Sequence, residues 1–298
     1  MNAFFSLTKR NIAMFFKDKG MFFTSLITPA ILLVLYATFL SNIYRTSLLS
    51  NIPEEFSLEK GVVDGAVAGQ LFSSLLAVIC VTVAFCSNFL MVRDKVTGAK
   101  KDFSVTPLKK TVLSYSYYVS ALISTLTVTL FACAACFIYV AAVGWYMSFS
   151  DVVLVLSDVL ILTMFGTALS SVVNFFLSTE GQVSAVGAIV SAGYGFVCGA
   201  YIPISQFGSG LRNFIMCLPG TYGTSLIRNH CLEGVFVKMS QTGVPESAVN
   251  AIKDSIDCNL YFFGTAVQDW VCYAVILGTT ALLIGAYVLL NLLINKRR

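Results

Sequence analysis

The sequence predicts an all-α integral membrane protein with a single transmembrane domain over residues 1–298. It should have six spanning helices, an amphipathic interfacial helix ahead of the first, and re-entrant helices between the fifth and sixth. Three observations carry this. The composition is 57% hydrophobic and 11% charged, with a mean hydropathy of +0.82, so a soluble fold would leave large apolar faces in water. Six apolar runs reach the roughly 20 residues that a helix needs to cross hydrocarbon. The basic residues gather at the ends of those runs instead of forming a stripe, so the net charge of +4 reads as topology and not as a nucleic-acid footprint.

Residues 2–19 have the period of an amphipathic helix. Phe4, Phe5, Ile12, Phe15 and Phe16 share a broad arc, Arg10 and Lys17 lie opposite, and Lys9 at the edge can snorkel. Such a helix lies in the membrane interface, although a solvated leader that merely holds the first span is also open. It is not a signal peptide, because the run after Lys19 is too long and lacks a small-x-small cleavage site. The spans are expected at 21–43, 65–92, 111–143, 152–177, 183–201 and 270–294. Pro29 is tolerated near the start of the first, where neighbours or the interface can meet the freed backbone groups. A polar segment with Pro53, Glu54, Glu55 and Glu59 follows, and Trp145 and Tyr146 anchor the turn before the fourth span. Residues 178–182 join spans four and five and read as a turn.

Orientation follows from charge. With both termini inside, Lys9, Arg10, Lys17, Lys19, six residues of the loop 93–110 and the last three make 13 of the 19 basic residues cytoplasmic. The expected location is a cell membrane, multi-pass, of the bacterial plasma-membrane type.

The loop 93–110 is the organising stretch, with six Lys or Arg against two Asp between two apolar runs. Gly98 permits a sharp turn, and Pro107 pushes the residue before it out of helical geometry, so a short element between them is bounded at both ends. It serves either as a rigid lever at the membrane surface or as a topological anchor. In the fifth span Gly187, Ser191, Gly195 and Gly199 repeat every four residues and make a face with little side-chain bulk, a helix-packing seam whose neighbour could be this chain, a partner or a pathway. Asp158 lies some way into the fourth span, where an acid faces protein or water: it contacts substrate, gates an outer cavity or makes a polar contact in the bundle. Residues 203–269 alternate apolar and polar pieces, and the part from Pro203 to Arg228 is too apolar for a free loop, yet broken by Pro and Gly. Two short helices dipping into the outer leaflet would explain it.

Enzymatic constellations are missing: there is no phosphate loop, zinc-protease helix or nucleophile elbow, and the single His230 reads as structural. A His-based metal site is therefore not expected. Most of the nine cysteines lie in apolar runs and read as packing residues. For Cys231 and Cys258, in the outer segment, a disulfide and two free thiols are both open, depending on the compartment.

The chain resembles the ABC-2 family of ABC-transporter permeases. Asp94, Gly98 and Val105-Thr106-Pro107-Leu108 match the family's loop between spans two and three. Tyr201-Ile202-Pro203, Leu218-Pro219-Gly220-Thr221-Tyr222 and Leu226-Ile227-Arg228 resemble its segment after span five. One departure is Lys101, followed by Asp102, where the family often has Glu. The resemblance implies an exporter of drugs, antibiotics, peptides, lipids or polysaccharides built from two permease subunits, alike or different. A separate ATPase chain would bind the ATP and magnesium and touch the permease through Lys9, Arg10, Asp94, Gly98, Lys101, Asp102, Thr106, Pro107 and Leu108. Pro203, Pro219, Tyr222 and Arg228 would cap the exit. The rivals are an ATPase-independent secondary transporter, which should show several intramembrane acids or a repeat of two halves, and a membrane accessory or immunity protein.

Overall fold

The computed structural model describes residues 2–52, 58–106 and 108–296. The chain begins with α1 (Asn2–Lys17), after which Asp18 caps α2 (Lys19–Leu35) by accepting from the Met21 amide. Helix α2 does not stop where the first span was expected to end. It passes through one wider, π-helical turn at Tyr36–Leu40 into α3 (Ser41–Ser50), so the first part of the expected polar segment is helical.

Helix α4 (Lys60–Asn88) is the spine of the fold. From Val62 to Asn88 its residues are buried all round except at Asp64, which explains why its sequence is apolar on every face instead of on one stripe. Helices α2, α7 (Lys110–Val143), α8 (Phe149–Phe176), α9 (Glu180–Val197) and α11 (Pro219–Gln241) pack around it. Phe72, Leu76 and Cys80 of α4 meet Val155, Val159, Leu162 and Phe165 of α8 in the main core. Hydroxyls and amides fasten the inner half: Asn88 donates to Ser170 and Ser171 at 3.0 and 2.7 Å, and Ser87 meets Thr125 at 3.1 Å.

After a one-residue interruption at Phe89 the spine continues as α5 (Leu90–Val96), Gly98 turns the chain, and α6 (Ala99–Ser104) precedes α7. Helices α8 and α9 both start with reciprocal caps, Ser148 with Asp151 and Thr179 with Gln182. The turn at 178–182 is thus the N-cap of α9. That helix ends at Val197, before the expected limit of 201, because Gly199 takes a left-handed conformation at φ +72° and the chain folds back on Ile204.

The outer segment departs most from expectation. Instead of two short helices it holds α10 (Ser209–Ile215), then α11, which continues well past Arg228, then α12 (Glu246–Ser255) and an antiparallel hairpin, β1 (Leu260–Phe262) with β2 (Thr265–Val267). Helix α13 (Asp269–Lys296) closes the chain. Among the described residues five helical stretches are long and apolar enough to cross a membrane, at Lys19–Thr38, Lys60–Val96, Thr111–Val143, Phe149–Phe176 and Asp269–Leu293. Helix α9, with a polar first turn, is the expected span that is not among them.

The close approach of α11 to the outer turn rests on Gly234, where an added Cβ would lie 1.9 Å from the backbone oxygen of Tyr146. Backbone cannot swing aside as a side-chain tip can. Gly234→Ala should therefore destabilise the protein by about 1–3 kcal/mol, read as a lower unfolding temperature in detergent.

Candidate coupling and translocation site

At the inner end, elements distant in sequence converge on one carboxylate. Asp94 on α5 is 2% exposed and accepts both arms of the Arg10 guanidinium, at 2.6 and 3.0 Å, and the Tyr117 hydroxyl of α7 at 2.6 Å. Two parallel charge-assisted bonds fix orientation as well as distance. The bond to Asp94 holds the Arg10 guanidinium even more firmly charged than an ordinary arginine, against the opposite pull of burial. Its carbon also lies 5.2 Å from the centre of the Phe103 ring on α6, so the same cation touches the short loop helix.

The aromatic arc expected on α1 is divided: Phe15 is buried with Leu7, Thr8 and Asn11, and Arg10 reaches inward beside them, while Phe5 and Phe16 are exposed. The helix thus has a bundle face and a separate exposed aromatic face. Lys9 is exposed.

Two further contacts clamp the loop. Arg93 pairs with Asp18, and the Met21 amide, first, and then Arg93 hold the Asp18 carboxyl below its usual range. Lys95 donates to the carbonyls of Asn174, Phe175 and Leu177 at 3.1, 2.7 and 2.9 Å, which satisfies the open end of α8. Beyond these anchors the tip reaches solvent. Lys101, Asp102 and Thr106 are exposed and Val105 is 87% exposed, whereas Phe103 and Leu108 pack inward with Leu7, Leu113 and Tyr117. Gly98 enters α6 at φ +87°. Pro107 lies outside the described residues.

The small-residue face of α9 divides into separate roles. Gly187 and Ser191, with Ser184 and Ala188, line a half-open cavity of about 580 Å³ whose other walls are Met21, Thr24 and Ile27 of α2 and Cys86, Phe89 and Val92 of the spine. Asp18, Arg93 and Glu180 also line it. Gly195 makes a seat for Tyr201, whose ring an added Cβ would meet at 2.3 Å, and Gly199 makes the turn described above. On the other flank of α2 a second, almost wholly apolar crevice of about 750 Å³ runs between Leu26, Pro29, Ala30 and Leu33 and residues of α4 and α7.

Two of the expected cap residues, Pro203 and Arg228, lie at a second buried ion pair. Arg228, 1% exposed, donates to the carbonyls of Ile256 at 2.6 Å and Gly199 at 2.8 Å and to Ser74 of α4 at 3.3 Å, and stands 3.6 Å from Asp257. Asp257 in turn accepts the amides of Ile204 and Ser205, just after Pro203. Burial pushes its carboxyl above the usual range, against the pull of Arg228 and those amides. Pro219 starts α11, and Tyr222 donates to the Met216 carbonyl at 2.7 Å. Cys231 and Cys258 are both buried and both free, so the covalent tie that the sequence left open is absent and the ion pair holds this region instead. Cys133 and Cys136, a turn apart on α7, are free as well.

Asp158 makes a contact within the bundle, 2.6 Å from His230 Nδ1 and 2.6 Å from the Tyr273 hydroxyl. Tyr117, Phe103, Lys95, Asp257 and Tyr273 are the partners that the sequence reading did not single out. Asp257 carried at most a faint signal, as an acid beside Cys258 in the outer segment.

Two outcomes follow from these pairs. A double-mutant cycle of Arg10→Ala and Asp94→Ala on thermal unfolding should give a coupling energy of about 1–3 kcal/mol, and a value near zero would mean that the two side chains act independently. Arg228→Ala leaves the Asp257 charge buried without its cation and should cost about 3–5 kcal/mol by the same measurement.

A search of the curated proteins finds no match. The family described as ABC-2 type transporter matches residues 2–231, a stretch that holds α1, the loop with its Asp94 node, the α9 cavity and α11 as far as Arg228. With well over half of its length matched, the chain belongs to the ABC-2 type transporter family.

Proposed function

We propose that this chain is the membrane-spanning permease subunit of an ATP-driven exporter, and that a separate ATPase subunit docks on α1 and on the exposed tip of the loop. The observation that carries this reading is the Asp94 node. A push on Lys101, Asp102, Val105 or Thr106 reaches α6, and through Phe103, Arg10 and Tyr117 it is delivered at once to α1, to the spine and to α7. A surface loop that served only as a topological anchor would not need three elements locked on a buried carboxylate.

In this reading α9 is the fifth of six spans, both termini are cytoplasmic, and the cavity between α2 and α9 is half of the inner vestibule. A second permease subunit, identical or related, supplies the other half. The substrate is an amphiphile of the drug, antibiotic, peptide, lipid or polysaccharide classes. ATP with its magnesium is bound by the partner ATPase, and chemistry there moves this chain only by binding its two conformations unequally. The segment from Pro203 through the first part of α11, fastened by Arg228 and Asp257, caps the exit.

Affinity purification from native membranes in mild detergent should recover an ATP-binding subunit in about equal amount, and its absence, with crosslinks from Thr106 also blank, would overturn the reading. Gly98→Val forces a branched side chain into a left-handed backbone that costs roughly 1–2 kcal/mol. It should leave membrane insertion and ATPase recovery intact while ATP-driven transport falls several-fold; unchanged transport would remove the lever role of α6.

A further inference from the structure

The contact of Asp158 with His230 and Tyr273 is a cluster that the coupling machinery does not use. Asp158 is 2% exposed and lies at the meeting of three helices: its own α8, α11 through His230 and α13 through Tyr273. A carboxylate so placed needs a counter-charge, and the ion pair that reaches it is with an imidazole, which is a cation only when it holds a proton. The Tyr273 hydroxyl donates to one carboxylate oxygen, and the imidazole Nδ1 occupies the other at 2.6 Å. The His230 side chain keeps 15% of its surface open, whereas that of Asp158 keeps 1%, so a proton arrives through His230.

We propose that His230 is a proton-binding site, and that the imidazolium it forms clamps α11 onto α8 and α13 through Asp158. The groups that face the ring are Asp158 and Asp151 from α8 and Tyr273 and Asp269 from α13, with the Cys231 thiol of its own helix also close to Asp158. They are acids or neutral donors, and no cation competes among them. Burial alone would drive the proton off the ring. The hydrogen bond and charge of Asp158, aided by Asp269 and Asp151, outweigh it and hold the proton more tightly than in an ordinary histidine. Because the pKa is raised on folding, the clamp contributes its full stability below about pH 6.5, and that contribution is lost as the pH rises through the folded value. Neutral His230 can still donate a hydrogen bond to Asp158 but no longer cancels its charge.

The sequence contains one histidine, so ring-labelled histidine gives a single magnetic-resonance signal from the intact protein in lipid nanodiscs. Its titration midpoint should lie above about pH 6.5, and Asp158→Asn should weaken proton binding by about tenfold or more. Tyr273→Phe, which leaves the ion pair in place, should keep the midpoint above the ordinary histidine value. As a second readout, the unfolding temperature should fall with rising pH more steeply in the parent protein than in His230→Gln, whose side chain keeps a hydrogen bond but takes no proton. A ring that stays neutral from about pH 5 to 9, or parallel unfolding curves for the parent and His230→Gln, would overturn the proposal. None of these readings depends on an ATPase or on transport, so they fail separately from the functional proposal above.

Discussion

A carboxylate removed from water is stabilised by a cation and donors, and among the described residues three acids are held in this way. Asp94, Asp158 and Asp257 are all nearly inaccessible, and each is matched to one basic side chain from a distant element: Arg10, His230 and Arg228. Because each acid also takes further donors, each joins three or more elements. Asp94 binds α1, the loop and α7; Asp158 binds α8, α11 and α13; Asp257 binds the end of α12 to α11, to the turn after α9 and, through Arg228, to α4. Apolar packing between lipid-bathed helices has little directional preference, since lipid tails solvate the same side chains equally well. These three nodes therefore supply much of the register of the bundle.

They also divide its labour. The inner node stands where a charged loop is clamped to the ends of two long helices, the Asp257 node knits the segment after α9, and the Asp158 node ties that segment's longest helix to two spans. The spine α4 links two of them, buried along nearly its whole length, bonded to Arg228 through Ser74 and joined at its inner end to α5, which carries Asp94. Strain applied at the loop enters the bundle at its best-packed element.

Much of this was legible in the sequence, and the reasons differ by feature. Span positions follow from hydropathy because hydrocarbon demands long apolar helices, and the turn that opens the short loop helix follows from the backbone freedom of Gly98. What could not be read is pairing at a distance. Arg10 and Asp94 are 84 residues apart, and periodicity placed Arg10 on a polar face because it sees a helix in isolation and not the neighbour that has an acid to offer. His230 was discounted for being alone, although a single histidine needs only one well-placed acid. The hairpin at Leu260–Val267 was missed because Phe262-Phe263-Gly264 sits in a stretch too short and mixed to alternate, and its turn rests on Phe263 and Gly264 both taking positive φ. The length of α11 was missed for another reason. Its residues are neither strongly apolar nor amphipathic, because protein and not lipid surrounds them, and such a helix leaves no periodic trace.

Helix α2 meets the spine along a narrow edge, with Ser25, Thr28 and Leu32 buried and Ile27, Ile31 and Val34 exposed on its far side. Its two flanks are the walls of the two hollows, one partly polar and one greasy. A single partition shared in this way makes the two volumes reciprocal: any tilt of α2 about its small-residue edge that opens one chamber closes the other by a comparable amount.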